Sequence, residues 1–137
     1  MPYTLVHELS PRHFDQLVEL YQHEWWSKGR APGDVRRMLA HSNLTFALID
    51  ERGDLAAFAR VLTDEAYWAF VFDVIVHFDH RGRGLGDRLM KSITNHELVR
   101  QVRSVALCCK PELVEFYQRY GFVDEPLTDI VWMRRKN

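Results

Sequence analysis

The chain has 137 residues, of which 18 are lysine or arginine and 19 are aspartate or glutamate, so its formal net charge is −1. This length suits one domain with a single core, and the balanced charge lacks the basic excess of proteins that coat nucleic acid. No apolar run approaches the roughly 20 residues of a membrane span, and the first residues lack the basic and apolar regions of a signal peptide. We therefore expect a cytoplasmic protein with neither a nucleic-acid nor a membrane partner.

The beginning of the chain predicts an edge strand and an amphipathic helix. Residues 3–8 alternate apolar and polar side chains, as a strand at or near a sheet edge does. Ser10 and Pro11 are typical of a helix N-cap and of a first helical position. Apolar side chains then recur at i, i+3, i+4 and i+7, namely Phe14, Leu17, Val18 and Tyr21.

A linker with two tryptophans separates this helix from a shorter one that begins at Pro32. Trp25 and Trp26 are adjacent, so they cannot both face the same core from a helix. One of them is expected to line a cleft or a surface contact. The alternative is that the two rings only hold the two helices together.

The middle of the chain predicts an antiparallel meander. Strand-like runs over 44–50 and 55–62 are joined by a turn-forming cluster, and a third run follows over 67–76. A further run over 104–109 comes after a helix that ends near His96. Because a strand, a crossover helix and a second strand form a βαβ unit, this last run is expected to lie parallel to 67–76.

A glycine-rich loop over 81–87 joins the third run of the meander to the helix. Its glycines carry no side chains that would keep a ligand at a distance, and the first turn of a helix presents N–H groups without intrahelical partners. A phosphate can therefore be bound by main chain alone, with Arg81 and Arg83 adding positive charge. The glycine spacing fits neither the dinucleotide-binding loop nor the P-loop.

The C-terminal part predicts a helix that ends at Gly121 and one or two final strands, over 122–123 and 129–135. The only cysteines, Cys108 and Cys109, are adjacent inside an apolar run. Adjacent cysteines are poorly placed for a structural disulfide and too few for a zinc site. We expect both to be core or near-core thiols.

Two motifs together resemble the GNAT superfamily of acyl-CoA-dependent N-acyltransferases. The first is Arg81-Gly82-Arg83-Gly84-Leu85-Gly86, which follows a strand ending in Val-x-Val, and the second is an aromatic pair, polar residues and Gly-Phe over 115–122. The resemblance implies a single GNAT domain over 1–137, of the α/β (α+β) class, with a mixed, mostly antiparallel sheet and helices on both faces. It also implies transfer of an acetyl group from acetyl-CoA to a primary amine by direct attack, without a metal.

The resemblance further implies where the two substrates lie. The residues implied to bind acetyl-CoA are Val74, Ile75, Val76, Arg81, Gly82, Arg83, Gly84, Leu85, Gly86, Asp87 and Lys110. The N–H of Val74 would donate to the thioester oxygen as charge develops there. Asp87 and Lys110 depart from the family pattern, because relatives commonly have a neutral or basic residue and an asparagine at these places. The segment between the first two helices would border the acceptor amine, with Glu24, Trp25 and Trp26.

By the same resemblance, Tyr117 aligns with the tyrosine that many family members use as general acid, although it could also be a plain core aromatic. The general base is less well defined, because Phe70 stands where relatives often carry a carboxylate. Asp73 lies inside an apolar strand, so it must be paired, hydrogen-bonded or catalytic. Other candidates for the base are Glu24, His23, His77 and a chain of water molecules.

The missing carboxylate at Phe70 leaves a second function class open, a non-catalytic acetyl-CoA-binding sensor or regulatory module. Tyr117 favours the enzyme, because a sensor does not need to protonate a leaving thiolate. The acceptor can be a small molecule or a peptide. The oligomeric state also stays open, a homodimer being common in the superfamily.

Overall fold

A computed structural model describes residues 2–126 and 128–137. They are built around one five-stranded sheet with the order β1-β2-β3-β4-β5. The strands are β1 (Thr4–Val6), β2 (Leu44–Ile49), β3 (Leu55–Thr63), β4 (Trp68–Val76) and β5 (Ser104–Ala106). Strands β1 to β4 pair antiparallel and β5 pairs parallel with β4. The predicted mixed, mostly antiparallel sheet is confirmed, and so are the edge position of β1 and the parallel βαβ unit.

Helices cover both faces of the sheet, as predicted. They are α1 (Pro11–Gln22), α2 (Pro32–Ala40), α3 (Leu85–Asn95), α4 (Glu97–Arg100) and α5 (Val114–Gln118). Helices α1 and α2 pack on one face, which we call the α1 face, through Leu17, Tyr21 and Val35. Helix α3 packs on the opposite α3 face through side chains that include Leu89 and Ile93.

Helix α1 begins where its capping residues predict. The Ser10 side chain accepts a hydrogen bond from the N–H of His13 at 3.1 Å, and Pro11 occupies the first turn. With 12 residues, α1 is far shorter than the roughly 20 residues that a bilayer requires. Within the described residues, no helix combines the length and the hydropathy needed to cross a membrane.

The C-terminal segment differs from the sequence prediction. The described residues after β5 form no strand, so the strands predicted over 122–123 and 129–135 are wrong. A β-prone run becomes a strand only where a neighbour supplies hydrogen bonds and a core covers its apolar side. Here the side chains of Val131 and Trp132 stay 82% and 72% exposed, so neither condition is met.

The chain also leaves the sheet earlier than predicted. Strand β5 ends at Ala106, short of the run predicted over 104–109. Because the following residues lie outside the sheet, Cys108 and Cys109 are exposed, and the expectation that they are core thiols is wrong. The last helix is shorter as well, because a single 3-10 turn over Pro111–Leu113 precedes α5.

Leu89→Ala tests the packing of α3 on the sheet. Leu89 is fully buried on the α3 face, so truncation leaves a cavity. We expect the free energy of unfolding to fall by about 2–4 kcal/mol. The matched control is Leu113→Ala, since Leu113 is 42% exposed and its loss should change that free energy by about 0.5 kcal/mol or less. Urea unfolding followed by tryptophan fluorescence measures both, and equal losses would contradict this packing.

Candidate functional site

Towards its C-terminal end, strand β4 loses its partner β5, and its ladder with β3 is interrupted by a bulge. Its pairing with β5 ends at Phe70. On the other side, residues 72–75 face residues 58–60 of β3, so β4 carries one extra residue and forms a β-bulge. Neither Asp73 nor Val74 has a partner in the β3 or the β5 register. On the β5 side, the main chain at Val74 therefore has no neighbouring strand beside it.

The three valine and isoleucine side chains at the end of β4 point in different directions. Val74 is half-buried against the cluster on the α3 face, and Ile75 is buried on the α1 face. Val76 lines an open pocket beside the glycine-rich loop. Neither Val74 nor Ile75 lines that pocket.

The glycine-rich loop is a left-handed turn that leads directly into α3. Gly82 and Gly84 have φ values of +77° and +76°, a conformation that glycine adopts without steric cost. The first main-chain bond of α3 runs from Arg88 N–H to the Gly84 carbonyl, and no side chain caps the helix. The N–H groups of residues 85–87 are therefore left without intrahelical partners at the positive end of the helix dipole.

These groups open into a pocket of about 230 Å³ between the loop and α5. The pocket is lined by Val76, Arg81, Gly82, Gly84, Leu85, Gly86, Asp87, Phe116 and Arg119. A Cβ at Gly86 would stand 3.3 Å from Cζ of Phe116, so glycine is what lets this ring pack against the start of α3. Arg119 was not singled out from the sequence, although it lies inside the second motif.

The two predicted phosphate-binding arginines are used differently. Arg81 lines the pocket, its Nε donates to the Val76 carbonyl at 3.2 Å, and its Nη2 lies 3.4 Å from Glu24. Arg83 donates to the hydroxyl of Tyr3 at 3.1 Å and does not line the pocket. Of the two, only Arg81 stands at the pocket mouth.

The negative charge of the Asp87 carboxylate at the start of α3 is partly neutralised by its neighbours. The hydroxyl of Tyr120 donates to Oδ1, and Lys91 Nζ lies 3.0 Å from Oδ2. These contacts, Tyr120 first, hold the pKa of Asp87 below its ordinary value. The carboxylate stays ionised and partly neutralised, so it leaves the N–H groups of this turn available to an anion.

Asp73 is the centre of a buried polar cluster on the α1 face. Its Oδ2 accepts hydrogen bonds from the Tyr21 hydroxyl at 2.8 Å, Arg30 Nη1 at 2.9 Å and Arg60 Nε at 2.7 Å. Burial alone would raise the pKa of Asp73, but Arg60 and Arg30 outweigh it and hold the pKa below its ordinary value. Sequence reasoning found Asp73 but missed its three donors. Arg60 carried a usable signal, as a lone charge inside an apolar strand next to the strand of Asp73.

Tyr117 is almost buried, with its ring between Phe116 and Phe122. Within the described residues, the one buried side-chain polar atom without a partner is Nδ1 of His13. The Tyr117 hydroxyl also makes no hydrogen bond within the described residues. Because it is not a buried atom without a partner, its oxygen retains access to solvent. Burial, with a smaller contribution from Cys109, raises the pKa of Tyr117 to about 12. The phenol is therefore protonated at neutral pH.

The linker between α1 and α2 contacts two of the three cationic side chains predicted to bind the cofactor. Glu24 lies 3.4 Å from Arg81, and Lys110 Nζ stands 5.4 Å from the ring centroid of Trp25. Trp26 instead faces Tyr21 on the α1 face. The two adjacent tryptophans thus point to different surroundings, as the sequence predicted, and Trp25 is the more exposed of them.

Three aromatic side chains form a row on the α1 face of β4. Trp68, Phe70 and Phe72 alternate along the strand, with stacked rings whose centroids are 5.6 and 6.2 Å apart. Trp68 and Phe72 are 48% and 37% exposed, so the row is a surface open to solvent. It ends beside Arg60, whose guanidinium lies over Phe72 at 4.9 Å.

Comparison with known proteins places this geometry in a family. Residues 42–124 match the family model described as an acetyltransferase (GNAT) domain. An uncharacterised N-acetyltransferase, ycf52, of Porphyra purpurea is 32% identical over 119 residues, which are 81% of this chain and 65% of that protein. The chain therefore spans somewhat less than two thirds of the length of this relative.

Solved structures agree with the family model. A GNAT-family protein of Xanthomonas campestris pv. campestris is 31% identical, with a TM-score of 0.85 over 98% of this chain and 93% of that one. AAC(6')-Iy, solved with a bisubstrate analogue that contains CoA, shares the fold at 17% identity and a TM-score of 0.71, over 98% of this chain and 99% of that one. The matched domain model, the Porphyra purpurea relative and the Xanthomonas campestris structure establish that this chain belongs to the GNAT acetyltransferase family.

Proposed function

We propose that this protein is an N-acetyltransferase that moves an acetyl group from acetyl-CoA to a primary amine. The observation that carries the proposal is the position of Val74, which is unpaired in both neighbouring ladders and leads into an uncapped helix N-terminus. A slot of main-chain groups followed by an anion-binding turn suits a thioester on a pantetheine arm that ends in a pyrophosphate. Location in the cytoplasm and assembly as a homodimer stay predictions.

The cofactor would be held mostly by main chain. Its pyrophosphate would accept hydrogen bonds from the N–H groups of residues 85–87, with the exposed guanidinium of Arg81 and that of Arg119 supplying positive charge at the pocket. The pantetheine arm would run along the free edge of β4. Lys110, now over Trp25, lies within the loop that follows β5 and would approach the same arm.

The reaction would proceed by direct attack. The lone pair of the neutral amine forms a C–N bond to the thioester carbonyl carbon, and the oxyanion that develops accepts a hydrogen bond from the Val74 N–H. The C–S bond then breaks, and the departing thiolate takes the proton of the Tyr117 hydroxyl. The nitrogen gives its extra proton to water, and the resulting tyrosinate is reprotonated from solvent.

The aromatic row and the linker suggest the kind of acceptor. Trp68, Phe70 and Phe72 form an open apolar surface near the bulge, and Trp26 stands on the same face. Such a surface favours a primary amine attached to an aromatic or apolar group, since rings pack offset or edge-on against one another. Phe70, in the middle of this row, stands at the position where relatives often carry a carboxylate.

The proposal is tested by thiol release from acetyl-CoA over a panel of primary amines, followed with a chromogenic thiol reagent. We expect amine-dependent release, with arylalkylamines turned over faster than polyamines. Tight acetyl-CoA binding without release for any arylalkylamine, polyamine, amino sugar or lysine peptide would contradict the enzyme and favour the sensor. The absence of carboxylate at Phe70 is the observation that keeps the sensor as second candidate.

Arg81→Ala should weaken acetyl-CoA binding by about tenfold or more, because a charged hydrogen bond to phosphate is lost. The dependence of the affinity on salt should also become shallower. The matched control is Arg37→Ala, which removes an exposed arginine paired with Asp34 on α2 and should leave affinity unchanged. Isothermal titration calorimetry measures both variants, and equal affinities would contradict the pyrophosphate assignment.

Tyr117→Phe should lower kcat by about 10²–10⁴-fold while the acetyl-CoA affinity stays within twofold, because only the proton for the leaving thiolate is removed. The control is Tyr67→Phe, which removes a hydroxyl from a tyrosine that is 59% exposed. Steady-state kinetics and calorimetry supply the two numbers. An unchanged kcat in Tyr117→Phe would contradict the role of general acid.

The rate should rise with pH over the whole measured range. A lysine-like amine has a pKa of about 10.4, so the reactive neutral form increases as pH rises towards that value. A falling limb from loss of the Tyr117 proton is displaced upwards, since burial raises the pKa of Tyr117 to about 12. Rates measured from pH 6 to 10 should show no decline, whereas a decline near pH 8 to 9 would contradict this assignment.

A further inference from the structure

We propose that Asp73 is a positioning residue, not the general base, and that its clamp with Tyr21, Arg30 and Arg60 sets the direction of the adjacent Val74 N–H. The inference rests on the proposed function, because the N–H is taken to meet the thioester oxygen of acetyl-CoA.

The backbone at Asp73 is held in an uncommon conformation. Its φ is +57°, in the left-handed region, which costs a non-glycine residue free energy although aspartate and asparagine tolerate it best. This residue and Val74 together stand opposite a single residue of β3, so Asp73 is part of the bulge. Because Asp73 and Val74 share a peptide plane, the left-handed turn at Asp73 decides where the Val74 N–H points.

The carboxylate of Asp73 ties this turn to three other parts of the fold. Tyr21 lies on α1, Arg30 at the end of the linker that precedes α2, and Arg60 on β3. All three donate to the same oxygen, Oδ2, and the Asp73 side chain is only 5% exposed. Contacts from three elements leave the side chain, and with it the bulge, little freedom to rotate. A strained conformation persists in a folded protein when several contacts hold it together in this way.

The same contacts make Asp73 a poor base. A general base must release its hydrogen bonds and take a proton, but Oδ2 is shared by two guanidinium groups and a phenol. Protonation would leave the partly buried charges of Arg30 and Arg60, 31% and 12% exposed, without a counter-charge, which is unfavourable. The carboxylate is therefore suited to holding two arginines in place and not to exchanging protons during turnover.

Two further contacts hold the arginine side chains, each against an aromatic ring. The guanidinium of Arg30 lies 4.6 Å above the ring of Tyr21, and that of Arg60 lies 4.9 Å above Phe72. Phe72 immediately precedes Asp73 on β4, so Arg60 contacts two successive residues of the strand, through the ring of Phe72 and the carboxylate of Asp73. The cluster thus braces the bulge from the residue before it and from its own side chain.

The test compares the affinities of acetyl-CoA and CoA, since only acetyl-CoA has the carbonyl that the Val74 N–H would bind. Wild-type protein should bind acetyl-CoA about fivefold more tightly than CoA, the advantage of one hydrogen bond. Asp73→Ala should lose that advantage while its affinity for CoA stays within twofold. Asp73→Gly adopts the left-handed conformation without strain, so it is the second variant if the alanine form does not fold, with the same loss expected.

Asp73→Asn separates positioning from base catalysis. Asparagine tolerates the left-handed region and its Oδ1 can still accept from the arginines, so the variant should keep the preference for acetyl-CoA and at least about a third of kcat. Its pH profile should match that of the wild type. A base would instead lose about 100-fold or more in kcat on this substitution.

A retained acetyl-CoA preference in both Asp73→Ala and Asp73→Gly, or none in the wild type, overturns the positioning role while leaving cofactor binding in place. A 100-fold loss of kcat in Asp73→Asn with normal acetyl-CoA affinity overturns it in favour of the base. If wild-type protein binds neither ligand, the proposed function fails and the positioning role fails with it.

Discussion

The structure depends on one constraint, the way in which β4 is released from the sheet. Near its start, β4 is paired on both sides, with β3 and β5, and it is therefore held rigidly. Beyond Phe70, β5 no longer pairs with it, and the bulge at Asp73 and Val74 interrupts the ladder with β3. Main-chain N–H and C=O groups that a sheet would normally pair thus become available to a ligand, while the paired part of β4 holds them in place. The glycine-rich turn and the uncapped start of α3 continue this row of available groups.

Charge is arranged so that each part of the cleft keeps a defined sign. On the α1 face, two arginines donate to one buried carboxylate, and this leaves Asp73 ionised with its Oδ2 hydrogen-bonded. At the pocket, Arg81 and Arg119 stand near an aspartate whose charge is already shared with Tyr120 and Lys91. The pocket therefore suits an anion although the chain as a whole is close to neutral.

Much of the fold could be predicted from local pattern. The meander, the βαβ unit and the turn into α3 follow from runs of residues close in sequence, and the glycine-rich run predicted the turn in which Gly82 and Gly84 adopt positive φ. The donors to Asp73 could not be found in this way, because Arg30 and Tyr21 lie 43 and 52 residues away. The final strands failed for a related reason, since β-prone residues need a pairing partner that composition does not reveal.

The account is tested most directly by a crystal structure with a non-reactive acetyl-CoA analogue that keeps the thioester carbonyl oxygen. It predicts the analogue's carbonyl oxygen within hydrogen-bonding distance, about 3 Å, of the Val74 N–H. It also predicts pyrophosphate oxygens on the N–H groups of residues 85–87, with Asp73 still held by Arg30 and Arg60. A carbonyl oxygen that meets another donor, or a pyrophosphate bound away from the start of α3, would contradict it.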